Sequence, residues 1–178
     1  ATLIAPLPYA DPSRLVMLWT GYREARQPRV PASGHEVLEI RRRSRELAEV
    51  AGIWVGAGSL TGEGEPERVR LGLTTANFLP IFGVPPALGR TLLASDEGSA
   101  GDRSVVLSDR FWRRRFGGDP AAVGKAVRID GGLATIVGVM PQGFRLFVKE
   151  FSLAGKPSDL WAPYVLTPDA RDAGGRYM

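Results

Sequence analysis

A chain of 178 residues with no cysteine and a single histidine, His35, cannot form disulfides, thiolate metal centres or imidazole-rich metal sites. Its 44% hydrophobic and 24% charged residues are those of a soluble globular domain, long enough to bury a sizeable core as one domain or two small subdomains. The net charge of +4 raises nucleic acid and anionic lipid as partners, but no run approaches the roughly 18 apolar residues that a membrane helix needs.

Without such a run or a visible signal peptide the chain reads as soluble as given, and its start at Ala1 rather than Met is read as that of a piece of something larger. Ala1 to Pro12 is an extended lead-in. The continuous apolar run Leu15 to Trp19 predicts a strand covered on both faces. After a proline-containing loop, Ser33-Gly34-His35-Glu36 has the spacing of a capping box, and the helix it opens is expected to reach Ala51, with Gly52 just beyond its end. Val37, Ile40, Arg41, Ser44, Leu47, Ala48 and Ala51 share one face at helical spacing, a narrow stripe on a half-exposed helix.

Ile53 to Ala57 and Glu67 to Leu73 read as a hairpin. In its second strand Val69, Leu71 and Leu73 alternate with Arg68, Arg70 and Gly72. Thr75 to Gly83 predicts a short helix, and Val84-Pro85-Pro86 is the best candidate for a joint between residues 1–83 and 84–178. Val105 to Leu107 follows as a strand. Ser108 then caps a helix whose Phe111, Trp112 and Phe116 face inward and whose Arg110, Arg113 and Arg114 face out, with Gly117-Gly118 as its stop. Ala126 to Asp130 and Leu133 to Met140 form a hairpin about Asp130-Gly131-Gly132, and Asp159 to Pro163 is a strand end.

Candidate chemistry is sparse. Gly118 to Ala126 resembles a phosphate loop only loosely: five residues separate its glycines, Ala126 follows the lysine where a hydroxyl is needed, and Pro120 removes an N–H. The glycines of the first hairpin never give the dinucleotide spacing. A Ser-His-Asp triad would have to use His35 in the first turn of a helix, and no nucleophile elbow exists. Ser108-Asp109 is better explained as a cap and an acid favoured by the helix dipole. Arg41, Arg42, Arg43 and Arg45 are offset on their own helix by Glu36, Glu39, Glu46 and Glu49, with Glu39–Arg43, Arg42–Glu46 and Arg45–Glu49 at i,i+4 spacing. Arg110, Arg113, Arg114 and Arg115 are less compensated, with only Asp109 and Asp119 nearby, and Arg110, Arg113 and Arg114 form the one candidate interaction surface, suited to phosphates, acidic headgroups or an acidic protein. Trp54, Trp112 and Trp161 are expected to be core. Charge reversal at Arg113 and Arg114 is expected to leave folding intact.

Three segments carry a family resemblance. They are Thr74 to Val84 with Leu88-Gly89-Arg90, Val105 to Pro120 with Val123-Gly124-Lys125, and Ile136 to Pro141 with Asp159-Leu160-Trp161. Leu7-Pro8-Tyr9 with Arg14-Leu15-Val16 adds a lead-in like the one just after a first transmembrane helix. Nearly the whole chain resembles the periplasmic core domain of MacB-like ABC transporter permeases. The resemblance implies an α+β domain, with a porter-like βαβ subdomain and a second mixed α/β subdomain with antiparallel hairpins. It also implies further strands beyond Gly175-Arg176-Tyr177, so that the piece lacks part of the family domain.

In function, the resemblance implies a non-enzymatic extracytoplasmic module with no catalytic, cofactor or metal residues. Its parent would sit in the inner membrane, held by flanking helices. It would be driven by a cytoplasmic ABC ATPase, in efflux or other transport, and would engage a substrate, a lipoprotein or an adaptor protein. The alternatives are a free-standing basic domain contacting nucleic acid or acidic membrane through Arg110, Arg113 and Arg114, and a hydrolase of unknown mechanism.

Overall fold

The computed structural model describes residues 9–19, 32–62, 64–97, 103–146 and 156–164. Its helices are α1 (Gly34–Arg43) and α2 (Asp109–Phe116). Its strands are β1 (Ile53–Thr61), β2 (Glu67–Thr74), β3 (Leu88–Gly89), β4 (Arg103–Leu107), β5 (Ala126–Ile129), β6 (Gly132–Val139) and β7 (Leu160–Pro163). The mixed α and β composition is the α+β class expected.

All these strands join in one sheet of order β3-β6-β4-β7-β2-β1-β5, and β5 pairs with β6 as well as with β1. The sheet therefore rolls up and closes on itself through β5. It also runs across the expected joint at residues 84–86: β2 pairs in parallel with β7, and the end of β1 pairs with β5. Each face carries a core, because alternate strand residues point to opposite sides. Val69, Leu71, Val105, Leu107, Ile136 and Leu160 pack with Phe111 and Trp112 of α2 on one face. Ile53, Phe78, Leu79, Phe82, Val106, Met140 and Trp161 pack on the other.

Local chemistry explains where the elements begin. Ser33 Oγ accepts from the Glu36 N–H, and the Glu36 carboxylate accepts from the Ser33 N–H at 2.7 Å, so the capping box forms as read. Ser108 Oγ accepts from the Phe111 N–H at 3.2 Å, and α2 ends at Gly117 in the left-handed conformation. The β5–β6 turn puts Asp130 at φ 50° and Gly131 at φ 82°, the positive pair that a two-residue hairpin demands.

Three expectations are corrected. First, α1 stops at Arg43, not Ala51, with Ser44 already extended at ψ 135°. Beyond Arg43 the stripe is only partly covered: Ser44, Leu47 and Ala51 are half-buried and Ala48 is exposed. Arg41 instead reaches forward to donate to the Val50 carbonyl at 2.8 and 3.0 Å, and the returning chain runs straight into β1. Gly52 is consequently no helix cap. Arg42 pairs backwards with Glu39, and Glu39–Arg43 forms at 2.7 Å, but the helix needed for Arg42–Glu46 and Arg45–Glu49 is not there.

Second, Leu15 to Trp19 is not a strand. Only Leu15 packs on the core; Val16 is 66% and Leu18 45% exposed. An apolar run becomes a strand only beside an edge that completes its ladder, and none of the described strands pairs with it. Third, Thr75 to Gly83 is a chain of turns ending in a 3₁₀ turn at Pro80–Phe82 rather than a helix. Phe78 and Phe82 nevertheless stack edge to face, with centroids 5.3 Å apart. Trp112 and Trp161 are core, whereas Trp54 is half-buried, stacked on Tyr164 at 4.1 Å.

β3 and β6 approach each other closely at their glycines. A Cβ on Gly138 would sit 2.1 Å from the Arg90 carbonyl oxygen and 2.9 Å from that of Leu88, both main-chain atoms that cannot rotate away. Gly138→Ala is expected to pry β3 off β6 and cost about 1–3 kcal/mol, read as a lower urea midpoint. An unchanged midpoint would mean that β3 is free to shift.

Candidate functional surface

The basic face of α2 is held by its own buried side. Phe111 is fully buried and Trp112 is 8% exposed, with the indole N–H donating to the Asp119 carbonyl at 2.9 Å. That anchoring turns Arg110 and Arg113 to solvent. The former phosphate-loop candidate, Gly118 to Ala126, is the exit of this helix: a 3₁₀ turn at Pro120–Ala122 capped by Asp119, with Ala122 buried in the core.

The three candidate arginines differ in role. Arg110 is exposed and makes no ion pair among the described residues. Arg113 binds Asp109, one turn back, through Nε at 2.9 Å, and its guanidinium lies over the Trp112 ring at 5.3 Å. Arg114 is no free cation. It pairs with Glu67 of β2, lies over the Phe111 ring at 5.2 Å, and has Asp159 at 3.9 Å. Sequence reading placed only Asp109 and Asp119 near this cluster; the fold adds Glu67 and Asp159.

Asp159 is the hub of that addition. It is 2% exposed and accepts from the Arg70 guanidinium at 2.6 Å and the Arg70 N–H at 2.9 Å. Arg70 Nε also donates to the Pro157 carbonyl at 2.7 Å. Two cations thus converge on one buried carboxylate, joining β2, the entry to β7 and α2. The expectation that reversing both Arg113 and Arg114 spares the fold is therefore revised: it stands for Arg113, whereas a glutamate at 114 would face Glu67 and Asp159.

A second buried acid is also fully engaged. Asp96, 8% exposed, accepts from Arg90 at 2.7 Å, from the Leu93 N–H at 2.7 Å and from Ser104 Oγ at 2.7 Å. Burial is the largest single influence on it and pushes its pKa up. The bonds from Arg90, Leu93 and Ser104 together outweigh burial and hold it below the ordinary carboxylate value. With the folded-state pKa below the unfolded one, its stabilisation is complete above the unfolded value of about 3.9 and is lost as the pH falls through the folded pKa. Asp96→Asn is expected to flatten the acid limb of stability below about pH 4. Urea midpoints that fall equally steeply in both proteins would show that another group sets that limb.

No group of three or more His, Cys, Asp or Glu among the described residues could hold a metal ion, and His35 is solitary and exposed. A shallow groove of about 300 Å³ lies at the end of β1, lined by Ala57, Gly58, Ser59, Arg68 and Asp130. Among the described residues no helix is long and apolar enough to cross a membrane.

Set beside known proteins, residues 4–177 match the family model of the MacB-like periplasmic core domain. The chain belongs to that family. No curated protein matches it. Among solved structures this MacB-like domain resembles the extracellular domain of the noncanonic ABC-type transporter YknZ from Gram-positive bacteria. There the TM-score is 0.57 at 16% identity, with 75% of this chain and 63% of that one covered. It also resembles the periplasmic region of MacB from Actinobacillus actinomycetemcomitans, with TM-score 0.58, 17% identity and 82% and 62% coverage. A permease domain from Porphyromonas gingivalis gives TM-score 0.55, 19% identity and 80% and 62% coverage. The chain thus spans 62–63% of the length of these solved domains, and at such identities the likeness is one of fold.

Proposed function

We propose that this MacB-like core domain is the extracytoplasmic part of an ABC transporter permease, a non-enzymatic module that couples movements driven by a cytoplasmic ATPase to recognition outside the membrane. The observation that carries the reading is the family match over residues 4–177. The chemistry of the described residues supports it: the buried carboxylates of Asp96 and Asp159 are each committed to arginines, so they stabilise the fold rather than wait for a substrate. The occupant of the outer surface is a substrate, a lipoprotein or an adaptor protein, and Arg110 with the half-neutralised Arg113 is the contact offered to its acidic groups.

The test is cellular. The full-length protein should carry apolar spans of about 20 residues flanking this domain, partition with the inner membrane, and lose this domain to protease added outside intact spheroplasts. Recovery in the soluble cytoplasmic pool would sink the proposal. Arg110→Glu with Arg113→Glu should cost no more than about 1 kcal/mol of folding stability, since the Arg113 side chain that pairs with Asp109 is 58% exposed, while weakening transport. Unchanged transport would remove these arginines from the contact surface.

A further inference from the structure

We infer that the closed sheet opens locally at the β1–β5 seam, and that the Asp130 carboxylate is the clasp that holds this seam shut. The described strands form a ring, β6-β4-β7-β2-β1-β5, that returns to β6. Around it β1 meets β2 over eight residue pairs and β5 meets β6 over four, but β1 meets β5 only at Leu60–Ile129 and Thr61–Arg128. The β4–β7 join is equally short, yet its residues Val106, Leu107, Leu160 and Trp161 are all buried. At the β1–β5 seam Ser59, Arg128 and Asp130 are exposed, so water reaches its bonds.

Ser59 and Asp130 make the rung that follows Leu60–Ile129. In an antiparallel ladder a hydrogen-bonded pair exchanges two main-chain bonds. The first of them is ordinary: the Asp130 N–H donates to the Ser59 carbonyl at 2.9 Å. The second is not, because the Ser59 N–H donates to Asp130 Oδ1 at 2.7 Å. The chain has already swung into the turn, with Asp130 at φ 50°, and a carboxylate oxygen stands in for the main-chain carbonyl. The surroundings admit it. A Cβ on Gly58 would lie 2.8 Å from Asp130 Oδ2, so glycine leaves the carboxylate its place. The Arg128 guanidinium donates to the Gly131 carbonyl at 3.1 Å and braces the turn. Behind the rung lie Leu60, 2% exposed, and Ile129, 6% exposed, the apolar pair that an opening would wet.

Amide exchange can separate this seam from the rest of β5, because alternation sends successive N–H groups of a strand to opposite sides. Those of Arg128 and Asp130 point to β1, and those of Val127 and Ile129 point to β6. In the unaltered chain the amides of Ser59, Thr61, Arg128 and Asp130 should exchange through a local opening. After correction for intrinsic rates they should be at least about tenfold faster than those of Val127 and Ile129. Asp130→Gly keeps the positive φ that the turn needs and removes only the side chain. It should speed exchange at Thr61 and Arg128 by about a further tenfold and leave Val127 and Ile129 unchanged. Asp130→Asn, which keeps an acceptor oxygen and also tolerates the turn, should stay within about threefold of the parent.

The unaltered chain decides the first half of the inference whether or not a variant folds: equal protection on the two sides of β5 overturns the local opening. Parent-like exchange at Thr61 and Arg128 in Asp130→Gly overturns the clasp. So does a glycine variant in which Val127 and Ile129 speed up as much as the seam, since the loss then belongs to the whole hairpin. An asparagine variant as fast as the glycine one also overturns it, because an acceptor oxygen at position 130 would then hold nothing.

Discussion

Trp112→Ala is expected to destabilise the domain by about 3–5 kcal/mol and to lower its melting temperature by on the order of 10 °C. The indole is 8% exposed and packs within the core formed by β4, β6, β7 and α2. Its removal leaves a cavity that Phe111, already fully buried, cannot move to fill. It also orphans the Asp119 carbonyl, which the indole N–H satisfies at 2.9 Å, and strips the surface under the Arg113 guanidinium. Trp112→Phe separates these effects: it keeps most of the ring and loses the hydrogen bond, so about 1 kcal/mol should be lost beyond the volume change. Urea melts with unchanged slope would report stability alone. A loss under about 1 kcal/mol for the alanine variant would mean that α2 does not seat on the sheet as described.

The features that could be read from the sequence are those specified within a few residues. The entry of α1 is set by Ser33 and Glu36, the limits of α2 by Ser108 and Gly117, and the β5–β6 turn by Asp130-Gly131. In each case the residue satisfies a backbone group of its own segment or takes up the conformation its turn needs. What failed depended on distant partners. Helical spacing continues through Ala51, but the Arg41 bonds to the Val50 carbonyl hold the chain past Arg43 in another path, along which Ala51 reaches the core from an extended segment. Leu15 to Trp19 has strand composition without a strand beside it.

The candidate surface shows the same division. The outward placement of Arg110 and Arg113 follows from helical periodicity once Phe111 and Trp112 are taken as core. That Arg114 belongs to a structural ion cluster did not, because Glu67 lies 47 residues away, and Asp159 approaches only through the parallel β2–β7 pairing. A pointer was nonetheless present. Asp159 is a carboxylate directly preceding the apolar Leu160-Trp161 pair, and Arg70 lies mid-strand on the polar face of β2, between Arg68 and Gly72; an acid and a base at strand positions in one domain are candidates to meet. Arg68, on the same strand, falls instead in the exposed groove beside the β1 edge.

Asp159→Ala should cost about 3 kcal/mol, because deleting the buried member of this ion pair leaves Arg70 charged and only partly hydrated, with its N–H unpaired. Arg70 is the member most affected: its side chain is 22% exposed and its guanidinium loses its carboxylate partner, while its N–H loses the Asp159 side-chain oxygen. Arg114 is affected less, since it keeps Glu67 and is 42% exposed. Asp159→Asn retains an acceptor for the Arg70 N–H but not the charge, and should fall between the parent and the alanine variant. The double variant Asp159→Ala with Arg70→Leu provides the decisive comparison. If the penalty of the single change is the stranded cation, removing that cation should recover about 1–3 kcal/mol, a non-additivity that two independent sites would not show. Strictly additive losses would mean that Arg70 and Asp159 are neighbours without being coupled. The tie between β2, β7 and α2 would then rest on the β2–β7 ladder and apolar packing.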